Sequence, residues 1–165
     1  MAGVNPLEYA IQMERDGLAY YAEAAASTAN PLGKKMYEGL AADERRHEEV
    51  LLGIARKRKV SLGGDLPKRR LVTIFSQLAP QLKAHLDAQA DDNKVIGKAI
   101  EMEKLSVEQY KKMGQEASTP ADRALYARLV QEETQHIEIL DSTFRYLNDT
   151  GHWFVWEEQS ILDGG

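Results

Sequence analysis

The feature that most constrains this chain is an internal duplication: residues 10–51 align on residues 99–140 without a gap, at a constant offset of 89. Twelve of the 42 aligned pairs are identical, a score that shared helical composition could reach. Composition does not explain which residues coincide. The pairs include Glu14/Glu103, Tyr21/Tyr110, Pro31/Pro120, Tyr37/Tyr126, Glu44/Glu133 and His47/His136, and these two histidines are the only ones in either segment. Each copy is a unit that cannot bury its apolar face alone and must pack on the other.

Both copies read as helical hairpins. Asn5-Pro6 is an N-cap followed by Pro at the first helical position, the helix runs to about residue 28, and Asn30-Pro31 starts the next one in the same way. The second copy begins near Asp91 or Asp92, and its second helix opens at Thr119-Pro120-Ala121-Asp122, a variant of the capping box. The run Arg56, Lys57, Arg58 and Lys59 is expected to close the helix that starts at Pro31, where cations suit the negative end of the dipole, ahead of Gly63-Gly64.

The hairpins, at about 5–59 and 91–147, are joined by a crossover at about 60–90 whose amphipathic Leu71 to Leu86 stretch, a shorter helix, is interrupted by Pro80. A connection of that length can run back along the bundle and gives the up-down-down-up order, with the hairpins related by a twofold axis. We expect one all-α domain over residues 1–165, a four-helix bundle. Its tail from about 148, carrying Trp153, Phe154 and Trp156, is expected to cover the bundle or a second subunit, with a homodimer as the assembly.

Composition then removes several function classes. Lys and Arg number 21 against 26 Asp and Glu, a net charge of -5 that argues against a nucleic-acid partner, which asks for a basic face. No apolar run approaches a membrane span, and the beginning MAGVNPLEYA has neither the basic nor the apolar part of a signal peptide, so a cytoplasmic location is expected. There is no Cys, which excludes disulfides, thiolate nucleophiles, Cys-ligated zinc and iron–sulfur clusters. A metal here needs carboxylate and imidazole ligands.

Such ligands interrupt the buried stripes. Read in steps of three and four, the first helix presents Leu7, Ile11, Glu14, Leu18 and Tyr21, and the third presents Ile96, Ile100, Glu103, Val107 and Tyr110. The second presents Tyr37, Leu40, Glu44, His47 and Leu51, and the fourth Tyr126, Leu129, Glu133, His136 and Leu140. One Glu-x-x-His on a helix is weak, because chance supplies many. Four helices bringing four Glu and two His inward, with no Lys or Arg on the stripes, are a different matter, since unpaired carboxylates in a dry core are costly. Two divalent cations balance four carboxylates, and oxygen with imidazole suits iron, manganese or a mixed pair. Glu14, Glu44, His47, Glu103, Glu133 and His136 are therefore the expected metal ligands. His85 and His152 are expected to be surface or packing residues.

These ligand sets, their spacing to Tyr21 and Tyr110, and the ending Trp-Glu-Glu-Gln-Ser-Ile-Leu-Asp-Gly-Gly resemble the rubrerythrin branch of the ferritin-like superfamily over almost the whole chain. The resemblance implies a ferritin-like bundle with two iron ions. In it Glu44 and Glu133 bridge the metals and are the residues at the reacting centre, His47 and His136 bind one metal each, and Glu14 and Glu103 are terminal ligands. It further implies that Tyr21 and Tyr110 support the cofactor by donating to ligand carboxylates; plain aromatic core is the alternative. Asp43 and Glu132, each before a bridging Glu, can accept the free imidazole N–H of a His on another helix, or can be solvated acids.

Two departures stand out. Rubrerythrins proper carry a Cys-ligated rubredoxin module, which this Cys-free chain lacks, so the electron donor is expected to be separate. They also place a further carboxylate three residues after the third-helix Glu, where this chain has Ser106, whose repeat mate is Gly17; Glu101 and Glu108 lie off the inner face and cannot replace it. The expected function is peroxide or dioxygen reduction in oxidative-stress defence. The competing readings are iron storage and a metal-binding bundle without turnover.

Overall fold

The computed structural model describes residues 5–57, 67 and 90–148. Within them lie four helices: α1 (Pro6–Ser27), α2 (Pro31–Ala55), α3 (Ala90–Glu116) and α4 (Pro120–Asn148). Their starts follow the sequence. Asn5 Oδ1 accepts from the Leu7 amide (3.0 Å), Asn30 Oδ1 accepts from the amides of Leu32 (2.9 Å) and Gly33 (3.4 Å), and Thr119 Oγ1 accepts from that of Asp122 (3.1 Å). Each cap satisfies amides that the helix itself cannot.

One end differs from expectation. Helix α2 stops at Ala55, so Arg56 and Lys57 follow the helix instead of forming its last turn. The chain turns at Arg56 and Lys57, whose amides reach Leu52 O (3.0 Å) and Ile54 O (2.9 Å), and Lys57 takes the left-handed conformation at φ 53° that glycine more often occupies. Arg58, Lys59, Gly63 and Gly64 lie outside the described residues, as do the expected Leu71 to Leu86 helix with Pro80 and His85, and the tail with His152, Trp153, Phe154 and Trp156.

The helix directions follow from contacts at opposite ends. Tyr20 near the end of α1 donates to Val95 O near the start of α3 (2.8 Å), while Gln109 of α3 reaches back to Pro6 O (3.4 Å), so these helices are antiparallel. On the other side Met36 meets Thr143 (3.1 Å) and Arg46 meets Glu132 (2.5 Å), so α2 and α4 are antiparallel too. With the short turns inside each hairpin, the order is up-down-down-up.

The core divides into two apolar clusters. One gathers Tyr21, Leu32, Met36, Tyr37, Leu40, Ala99 and Leu140; the other gathers Ala10, Leu51, Tyr110, Tyr126 and Leu129. Tyr21/Tyr110, Tyr37/Tyr126, Leu40/Leu129, Ala10/Ala99 and Leu51/Leu140 are repeat mates, so the twofold relation carries one cluster onto the other. The same stacking recurs in both: Tyr21 on Tyr37 with ring centroids 6.3 Å apart, and Tyr110 on Tyr126 at 6.4 Å. Between the clusters lies a layer of charge. Among the described residues no helix is long and apolar enough to cross a membrane.

Replacing Asn30 by Ala should leave two amides of α2 without their acceptor and cost about 1 kcal/mol, a fall of about 2–4 °C in thermal midpoint. Leu51→Ala, which empties a fully buried site, should cost about 2–5 kcal/mol. Thermal melts of the metal-free protein check both, and equal effects would contradict this ranking.

Candidate metal centre

All six expected ligands lie in the charged layer, and none is more than 3% exposed. Glu14 comes from α1, Glu44 and His47 from α2, Glu103 from α3, Glu133 and His136 from α4. His47 Nδ1 lies 3.0 Å from Glu133 Oε1 and 3.5 Å from Glu14 Oε2. His136 Nδ1 lies 2.9 Å from Glu133 Oε2, 3.2 Å from Glu44 Oε1 and 3.4 Å from Glu103 Oε1. Two groups result, Glu14–Glu44–His47–Glu133 and Glu44–Glu103–Glu133–His136, and in each the ligand atoms fall within 4.8 Å of one another. Glu44 and Glu133 belong to both.

The outward atoms of these residues are tied down by the opposite repeat. His47 Nε2 donates to Glu132 Oε2 (2.8 Å) and His136 Nε2 donates to Asp43 Oδ2 (3.1 Å), so both acids are buried partners of the imidazoles and neither is solvated. Tyr21 OH donates to Glu103 and Tyr110 OH to Glu14. With one edge of each ring committed, the Nδ1 atoms face inward. Among the described residues seven buried side-chain atoms lack a directed hydrogen bond: the Tyr37 hydroxyl, and six that point inward, Glu14 Oε2, Glu44 Oε1, both oxygens of Glu133 and both His Nδ1. Buried polar atoms are normally satisfied. The six inward atoms fall in the two groups, all oxygen or imidazole nitrogen, and suit a pair of hard or borderline cations.

Sequence reasoning missed the arginines behind the imidazole partners. Arg46 bonds Glu132 Oε2 at 2.5 Å and Asp43 Oδ1 at 3.2 Å, and Arg128 Nε bonds Glu132 Oε1 at 2.9 Å. The i,i+3 step from Asp43 to Arg46 and the i,i+4 step from Arg128 to Glu132 were the available signals. The repeat mates of Arg46 and Arg128 are Gln135 and Gly39, so this support is not symmetric.

Comparison with known families decides the affiliation. A family model described as rubrerythrin matches residues 5–144. The chain belongs to the rubrerythrin family. No curated protein and no solved structure matches it. Rubrerythrins are a ferritin-like di-iron carboxylate family, and the buried Glu and His groups of this member could hold metal. Ser106, at the position where the sequence departs from the rubrerythrin pattern, is buried and hydrogen-bonded only weakly to Met102 O (3.4 Å), while Glu101 and Glu108 are exposed.

Without metal, protons must balance this rubrerythrin's charged layer. Burial and then the neighbouring Glu14 and Glu133 push Glu44 well above the usual carboxylate range; burial and Glu133 raise Glu103 to about 7. Burial alone would lower the histidines, but Glu133 acting on His47, and Glu103 with Glu133 acting on His136, hold both well above 6.5. Glu132 behaves oppositely: burial opposes its ionisation, but His47 and Arg46 keep its carboxyl at about 2.

The signs set a pH profile for the metal-free protein. Glu103 is raised, so the fold retains a proton that the unfolded chain releases, and stability falls as pH rises from 4.5 to about 7. The two histidines contribute fully below 6.5 and lose that contribution as pH rises through their elevated folded values. Glu132 contributes above 4.5 and loses its part as pH falls towards about 2. The metal-free thermal midpoint should therefore be highest in mild acid and fall steadily towards pH 9, while bound divalent cations replace the protons and flatten the alkaline limb. A level metal-free profile between pH 5 and pH 8 would contradict it.

Proposed function

We propose that this chain is a cytoplasmic di-iron oxidoreductase that reduces a peroxide or dioxygen. The observation that carries the reading is the pair of four-residue donor sets sharing Glu44 and Glu133. In this assignment Glu44 and Glu133 would serve both ions, Glu14 with His47 and Glu103 with His136 would complete the two sites, and manganese is an alternative occupant. Two ferrous ions so held would supply the two electrons that, with two protons, convert a peroxide to its reduced products.

The protein's own share is to orient the donors and to cover the two ends of the charged layer. Tyr21 and Tyr110 fix the terminal carboxylates by hydrogen bonds to Glu103 and Glu14, and Glu132 and Asp43 fix the imidazoles. The apolar clusters above and below the layer keep solvent from its ends. Electrons come from outside these 165 residues, which contain no Cys to build a rubredoxin-type relay.

Anaerobic loading with ferrous iron should give about two ions per chain, and addition of hydrogen peroxide or air should then oxidise them, followed by visible absorbance and metal content. Glu44→Ala or Glu133→Ala should weaken both ions together. A loaded chain that ignores both oxidants, or a variant that keeps two tight ions, would overturn the corresponding part of the reading. Ser106→Glu should bring a carboxylate to the site, lower its reduction potential and speed oxidation by peroxide. Unchanged potential and rate would show that position 106 does not influence the metals.

A further inference from the structure

We propose that the substrate is an organic hydroperoxide, and that a cavity between α1 and α3 holds its hydrocarbon group. The proposal rests on the peroxidase reading above and narrows its substrate class. The cavity has a volume of about 210 Å³; Glu44, Glu103 and Ser106 lie at its inner end, and Met13, Met102 and Leu105 form its apolar wall. Tyr9 and Leu105, 45% and 61% exposed, stand on its solvent side with the exposed Gln12 and Asp16, which are hydrogen-bonded to each other (2.8 Å). It is thus a passage from solvent to two of the carboxylates in the metal centre.

Its inner end is open because two facing positions are small. Gly17 and Ser106 are repeat mates, as are Met13 and Met102, so the cavity straddles the pseudo-twofold relation and faces both donor sets. A Cβ at Gly17 would stand 3.3 Å from Glu44 Oε2, closer than side-chain atoms normally approach. Larger residues at 17 or 106 would fill the channel or press on the carboxylate. The room left exceeds what hydrogen peroxide needs: an apolar cavity of about 150 Å³ already accommodates benzene.

The distribution of polarity selects the ligand. Glu44, Glu103 and the Ser106 hydroxyl lie at the inner end, thioether and Leu side chains along the wall, and the exposed Gln12–Asp16 pair on the solvent side, so an amphipathic molecule with an oxygen head and a branched or aryl tail matches the inner end and the wall. Hydrogen peroxide gains nothing from such a wall. An alkyl or aryl hydroperoxide ROOH gains about fourfold in affinity per buried CH₂. Its reduction breaks the O–O bond, taking one electron from each of two ferrous ions and two protons, and leaves ROH and water.

The test separates binding from turnover. Protein with ¹³C-methyl methionine, metal-free and zinc-loaded, is titrated with cumyl alcohol, an unreactive analogue of cumene hydroperoxide. Saturable shifts confined to Met13 and Met102, with Met36 and Met113 unmoved, support the cavity; no saturable shift, or equal shifts at all four, overturns it. Ferrous-loaded protein is then assayed for the ratio of kcat/KM with cumene hydroperoxide to that with hydrogen peroxide. Ser106→Leu should lower the ratio at least about tenfold, and Met102→Gln, which keeps size on a half-buried surface, about threefold. Ratios within about twofold of the parent in both variants overturn the proposal even if hydrogen peroxide is consumed. A parent inert to both peroxides overturns the peroxidase reading and this substrate class together.

Discussion

Four carboxylates share a buried layer at the middle of this bundle, and the rest of the structure is arranged around that electrostatic problem. Burial raises the cost of each charge, and each carboxylate raises the cost of the others. Glu44 and Glu103 respond by holding protons, while Glu133, flanked by His47 and His136, stays ionised far below the usual range even though burial opposes it. Protons and divalent cations are thus alternative solutions to one imbalance. The inward atoms lacking hydrogen bonds belong to the residues that a cation would satisfy.

The supporting contacts make the centre a property of the whole bundle. Among the described residues, four ties that orient these side chains run between repeats: Tyr21 to Glu103, Tyr110 to Glu14, His47 to Glu132, His136 to Asp43. Each hairpin's donors are thus positioned by side chains of the other. The symmetry is broken one layer out. Glu132 is held by Arg46 and Arg128 together, whereas the repeat carries Gln135 and Gly39 at the corresponding positions. The cavity side differs as well, lined by Gly17 from one repeat and Ser106 from the other, so two halves built alike present unlike surfaces to the cavity.

Much of this was legible in the chain itself. The offset of 89, the Asn-Pro and Thr-Pro helix starts and the charges interrupting apolar stripes determined four helices, their pairing into hairpins and the six Glu and His side chains buried together between them. These features are periodic, and helical periodicity converts spacing along the chain directly into a shared face. Only the tertiary structure decided the rest, because it depends on side chains distant in sequence. The choice between buried partner and solvated acid for Asp43 and Glu132 was settled by which helix faced them. The ending of α2 at Ala55 was set by a local turn through Lys57 that no charge pattern specifies. The arginines behind Glu132 and the cavity between α1 and α3 exist only where helices far apart in the sequence approach, and that distance of approach is fixed by packing.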